Sequence, residues 1–198
     1  MRVTEAKRIE KLQVPCVRHR RSAMSEEKIY DVLGLAKGTI RLLEHTPKWT
    51  QLYLEEEKQI RRAIGHLIID IQHVGSTAIP GIKAKPVLDV IVGVKQLGEA
   101  LLYQAPLEAI GYDYLANAGL PNDYVFGKGV ARTHFLHLVE YMSEEWTKPL
   151  RFRDRLRTDA GLAKQYERLK EQLEEKFGNN PAEYTKAKVR FIRAVIAA

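Results

Sequence analysis

The stretch His73–Val94, HVGSTAIPGIKAKPVLDVIVGV, decides how the rest of the chain is read. It joins the end of one apolar run, GHLIIDIQHV from Gly65, to a second, VLDVIVGV, through a loop punctuated by Gly75, Pro80, Gly81 and Pro86. Short β-branched and aliphatic runs bounded by Gly and Pro predict strands, here at about residues 66–73 and 87–94. Asp89 stands inside the second run, and a carboxylate is costly to bury unless something binds it. A Gly-Ser turn at a strand end exposes consecutive backbone N–H groups and a hydroxyl, which suit the oxygens of a polyphosphate. A carboxylate on the neighbouring strand suits Mg²⁺, a hard cation that shares its oxygen ligands with substrate phosphates. Gly75, Ser76 and Asp89 therefore frame an expected metal–nucleotide site. The competing reading is a tight turn at Gly75, with Asp89 a helix cap or the buried partner of Lys83 or Lys85.

Outward from this centre, Ser25 would cap a helix over Ile29, Val32, Leu33 and Ala36 that Gly38 ends. Thr39–His45 alternates well enough to read as a strand. Thr46 and Pro47 open a helix, with Trp49 as its core anchor. Beyond the central pair come a helix at about 96–110, a short strand at Tyr112–Leu115, loop or hairpin material in AGLPNDYVFGKGVA, and a strand over Arg132–Tyr141. After Pro149 only helices are expected, the last beginning after Asn180 with Pro181 in its first turn. The fold class is α+β: a mixed sheet of four or five strands flanked by helices, with a helical C-terminal unit. Residues 1–38 read as a basic, partly helical extension, and 39–198 as the domain, its sheet part ending at about 145 and its helical part beginning at about 146.

The 198 residues suffice for one full core. Net charge is +7 and sits at the ends: residues 1–24 carry seven Lys/Arg against two Glu, and 148–198 carry thirteen against seven acids. Basic ends imply an anionic partner, either a phosphorylated small molecule or nucleic acid. Nucleic acid is the less favoured of the two, because no aromatic-basic recognition motif accompanies the charge. No apolar run approaches the length of a membrane span and no secretory leader opens the sequence, so a cytoplasmic protein without membrane contact is expected. Cys16 is the only cysteine, which excludes an intrachain disulfide and a multi-cysteine zinc site.

The pattern HVGSTAIPGIKAKPVLDVIVGV, with THFLHLVE, LRFRDRLR, YERLK and YTKAKVRFI further on, resembles the GrpB family from about Thr39 to the C-terminus. The resemblance implies a nucleotidyltransferase-like fold, Mg²⁺ as cofactor, and transfer from an NTP to a small acceptor. Taken with the residues themselves, it points to phosphate binding by Gly75, Ser76 and Thr77 and to Asp89 as metal ligand and catalytic residue; Lys85, between the turn and Asp89, and Arg132, before the His-bearing strand, would balance charge. Active members of the wider superfamily carry two acids one residue apart, so that both lie on the same strand face. Here Val87 and Ile91 occupy those offsets, and one acid is missing. His137, as a catalytic residue, or Glu140, as a metal ligand, would replace it, although a regular strand places the two on opposite faces. Two other readings stand beside this one: a nucleotide-binding or regulatory module that has lost turnover, and an RNA-binding protein.

Overall fold

The computed structural model describes residues 32–98, 101–116, 118, 119 and 122–198. Most of the basic extension and Cys16 lie outside the described residues, as does most of the helix expected to start at Ser25. Its described end, 32–38, is not helical: Leu35 forms a β-bridge with Arg132.

The described chain runs α1 (Lys48–Ile64), β1 (Ile68–Val74), β2 (Leu88–Val94), α2 (Leu101–Ala109), β3 (Tyr112–Tyr114), β4 (Tyr124–Lys128), β5 (His134–Glu140), α3 (Glu144–Thr158), α4 (Ala160–Phe177) and α5 (Pro181–Ala197). The sheet order is β1-β2-β5-β4-β3, with β2 and β5 parallel and the other pairs antiparallel. This is the expected mixed sheet with flanking helices and a helical C-terminal unit.

Alternation along the strands sorts the two faces of the sheet. Leu88, Val90, Val92, Leu136, Leu138 and Phe126 are buried against Trp49, Tyr53, Ile60 and Ile64 of α1 and Tyr103 and Leu107 of α2. Trp49 is fully buried, and its indole N–H donates to the Val32 carbonyl at 2.8 Å. On the other face Val74, Ile91 and Val139 pack on Trp146 of α3. Asp89 and His137 share this second face.

The C-terminal unit packs on the loop between β1 and β2 rather than on the sheet alone. Ile79 and Ile82 of that loop form one buried cluster with Phe152, Leu156, Ala163, Tyr166 and Val195. Its helices start where side chains cap free N–H groups: Ser143 accepts from Trp146, Asp159 from Leu162, and Asn180 from Glu183. The unit begins at Glu144, and Pro149 lies inside α3 instead of preceding it. Arg153 ties α3 to β1 by donating to the His73 carbonyl at 2.9 Å and to the Gln72 side chain at 3.0 Å. Asp154 pairs chiefly with this adjacent Arg153, at 2.7 Å, and only at 3.9 Å with Arg157.

The strand expected at Thr39–His45 is reduced to a single bridge between Leu43 and Ala84. The segment spends its backbone groups elsewhere: the Ile40 N–H donates to the Gly178 carbonyl and the Leu42 N–H to the Glu174 carboxylate. It thus straps the end of α4 instead of extending the sheet. Among the described residues no helix is long and apolar enough to cross a membrane.

Candidate functional site

Register brings the quoted residues together. Val74 at the end of β1 lies opposite Asp89 near the start of β2, and Asp89 lies beside Phe135 of β5. The Gly75 turn and Asp89 therefore meet at one end of the sheet. Gly75 has φ 71° and ψ −172°, a region open in practice only to glycine. A Cβ built there would stand 2.1 Å from an Asp89 carboxylate oxygen. Ser76–Ala78 then forms a single 3₁₀ turn.

A cleft of about 820 Å³ opens beside this turn, between the sheet end and the C-terminal helices. Gly75, Ser76, Lys85 and Asp89 line its polar side together with Lys188, and Phe152, Val189, Ile192 and Ile196 line its apolar side. A smaller cavity of about 390 Å³ shares Gly75 and Asp89 with the first and adds Asp123, His137 and Glu144. Asp89 thus stands where the two cavities meet, half-buried and accepting no hydrogen bond among the described residues.

His137 is paired: its Nδ1 lies 2.8 Å from Oδ2 of Asp123, just before β4. The other carboxylate oxygen of Asp123 is buried without a hydrogen-bond partner. Burial pulls the His137 imidazole down, but the Asp123 hydrogen bond and charge, with the Asp89 charge behind them, outweigh it and raise its pKa above the usual 6.5. A raised folded-state value means that the pair stabilises the fold fully below the unfolded imidazole pKa. That contribution is lost as pH rises through the raised value. Asp123→Asn is expected to bring the His137 titration, followed by NMR of the imidazole, down toward or below the ordinary value of about 6.5. An unchanged titration would show that Asp123 does not hold the imidazole.

The remaining candidates separate. Thr77 is buried, with its hydroxyl 2.9 Å from Nε2 of His73 and 3.4 Å from the Val87 carbonyl, so its side chain fastens the turn from within. Glu140 lies at the far end of β5, where its carboxylate accepts from the Leu97 N–H, and the fold does not bring it to Asp89. Arg132 lies over the Phe135 ring at 5.6 Å and fills the space above Gly127, where a Cβ would stand 2.1 Å from its guanidinium. It is on the face and end of the sheet that carry Asp89 but lines neither cavity. Lys83 pairs with Glu171 and Glu44 rather than with Asp89.

Sequence reasoning passed over Asp123, which sits in a segment with no periodicity. The repetition of Tyr followed four residues later by Lys, at Tyr166/Lys170 and Tyr184/Lys188, reads either as lysines aimed at the cleft or as ordinary helix packing, and from sequence packing is the simpler account. Tyr166 is buried beside the turn. Burial raises its hydroxyl to about 12, with Ser76 opposing through a side-chain contact and the Asp89 charge adding to the rise.

Fold and site define a mixed-sheet α+β protein whose helical C-terminal unit closes a cleft, polar on one side and apolar on the other, over a Gly-Ser turn. The model of the GrpB protein family matches residues 39–198, and the chain belongs to this family. The glutamate-rich protein GrpB of Alkalihalophilus pseudofirmus is 36% identical over 171 residues, covering 83% of this chain and 98% of that one. Protein YqkA of Bacillus subtilis is 30% identical over 158 residues, which span 79% of this chain and 46% of YqkA. The crystal structure of the conserved protein GrpB from Enterococcus faecalis superposes with a TM-score of 0.74 at 30% identity, covering 79% of this chain and 95% of that one.

Proposed function

We propose that the protein is a metal-dependent nucleotidyltransferase that works from an NTP on a small acceptor, in the cytoplasm. The observation that carries this reading is the convergence of Asp89, Asp123 and His137 on the Gly75-Ser76 turn, with one Asp123 oxygen buried and unpartnered. Among the described residues no group of three or more His, Cys, Asp or Glu is arranged to hold a metal ion by itself. That donor set still fits Mg²⁺, which is usually held by one or two carboxylates with substrate phosphates and water completing its shell. Asp89 would hold it, with the free oxygen of Asp123 standing in for the acid absent beside Asp89. Bound there, the ion would neutralise charge developing on the phosphates.

The chain's own groups supply the rest. Gly75 and Ser76 place phosphate oxygens at the sheet end, and Lys85 and Lys188 balance their charge from the cleft wall. His137, oriented by Asp123, takes the proton of the acceptor hydroxyl. The acceptor oxygen bonds to the α-phosphorus, the bond from that phosphorus to the β-phosphate oxygen breaks, and pyrophosphate leaves with the electron pair.

Titration calorimetry with ATP, GTP, CTP and UTP, with and without Mg²⁺, tests this reading. Wild type is expected to bind more tightly with Mg²⁺ than without it, and Asp89→Ala to lose at least about tenfold in affinity in the presence of Mg²⁺, or about 1.4 kcal/mol. Failure to bind any of the four sinks the proposal. A second reading rests on the buried Val87 and Ile91 that occupy the usual positions of the paired acid. It predicts nucleotide binding with no pyrophosphate released.

A further inference from the structure

Lys83, Lys128, Lys148, Lys164 and Lys186 each pair with a carboxylate. The other described lysines have no carboxylate partner among the described residues; Lys37, Lys48, Lys58, Lys95 and Lys176 are exposed, whereas Lys85 and Lys188 are half-buried and Lys170 is buried. These last three come from three separate parts of the chain and converge. The ammonium groups of Lys85 and Lys188 both approach the Tyr184 ring, at 5.7 and 4.6 Å from its centroid, and Tyr184 is fully buried. Lys170 stands behind them, 1% exposed, over the Tyr166 ring at 4.9 Å, with its ammonium donating to the Lys83 carbonyl.

Unpaired like charges gathered in a partly desolvated place oppose one another, and an anion spanning them relieves the cost. Burial first, and then repulsion among the lysines, lower Lys170 to about 7 and Lys188 to about 8, against the opposing charges of Glu167 and Glu171 at Lys170 and of Asp89 at Lys188. Lys85 and Lys188 line the large cleft together with Gly75 and Ser76, and among the described residues Asp89 is the only carboxylate lining it. The cleft also carries Arg193 on α5, and Lys148 there is already paired with Glu144. A single carboxylate ligand would satisfy one ammonium. A chain of phosphates offers several anionic oxygens spaced along its length and meets the turn and both lysines together.

We infer that Lys85 and Lys188, with Lys170 behind them, form a polyphosphate subsite that grips a chain of two or more phosphates independently of nucleoside and metal. The subsite deepens the nucleotidyl-transfer reading and rests on it for the nucleotide as the source of that chain. In this arrangement Lys85 and Lys188 contact phosphate, and Lys170 is a positioning residue that contributes charge through Tyr166 and the cleft wall.

The test is calorimetry on the full chain with inorganic tripolyphosphate, AMP and ATP in the absence of Mg²⁺, with circular dichroism to verify that each variant is folded. Tripolyphosphate is expected to bind wild type and to weaken at least about tenfold in both Lys85→Ala and Lys188→Ala. Lys186→Ala is the control: the side chain is exposed, lies on the same helix and is expected to change affinity less than about twofold. AMP is expected to bind no more weakly to the two lysine variants than to wild type. ATP tighter than tripolyphosphate makes the nucleotide the source, and equal affinities make it free polyphosphate; both support the subsite. No tripolyphosphate binding, or a loss in Lys186→Ala equal to that in Lys188→Ala, overturns it. MgATP binding that survives both lysine substitutions overturns the subsite and leaves nucleotidyl transfer standing. Tripolyphosphate binding through the lysines without any MgATP binding does the reverse.

Discussion

Gly75→Ala is expected to weaken MgATP binding at least about tenfold while also lowering stability by about 1–3 kcal/mol. Two effects coincide at this residue. Its backbone lies in a region that side chains avoid, and the added methyl would stand 2.1 Å from an Asp89 oxygen and 2.9 Å from the Asp89 Cβ. Relief requires that either the turn or the carboxylate move, and both belong to the proposed site. Gly81→Ala separates strain from displacement: it shares a positive φ, 75°, but a Cβ there meets nothing within 4 Å. Gly81→Ala is therefore expected to lose stability in a urea melt without losing nucleotide affinity. Equal losses of affinity in the two variants would show that loop stability, and not the placement of Asp89, controls binding.

The largest loss of stability is expected on the opposite face of the sheet, where Glu56 of α1 is 4% exposed. Its carboxylate receives the Lys128 ammonium at 2.7 and 2.9 Å, and Nε2 of His134 lies 3.8 Å away. The Lys128 ammonium also sits over the buried Tyr112 ring, at 5.2 Å. Removing one member of a buried pair leaves the other charge unpaired in the interior, so Glu56→Ala is expected to cost about 3–5 kcal/mol in urea unfolding. Glu56→Leu combined with Lys128→Met removes both charges and is expected to recover most of that loss, because the pair has already paid its own desolvation. A Glu56→Ala loss below about 1 kcal/mol would mean that water reaches Lys128 and that the network is not a buried one.

The centre of the fold was legible because local pattern and tertiary position agree there. Two β-branched runs around a Gly/Pro-rich loop specify β1 and β2, and Asn180 followed by Pro181 marks the start of the last helix; the Ser143 cap, which starts α3 before Pro149, is missed by the sequence reading. Thr39–His45 misled because alternation reports which side chains face inward and not where backbone groups find partners. There Glu174 and the Gly178 carbonyl from the end of α4 take the place of a neighbouring strand.

By itself the sequence determined the Gly75-Ser76 turn, the position of Asp89 in a strand, the absence of an acid beside it and the likeness to the GrpB family. Only the tertiary structure decided that Asp123 and His137 pair next to Asp89, that Glu140 points away, and that three lysines from a loop and two helices gather behind the turn. The physical reason is one of range. Turn chemistry and strand alternation act between residues a few positions apart, whereas a carboxylate or an ammonium acquires its role from charges and desolvation supplied by segments tens of residues away.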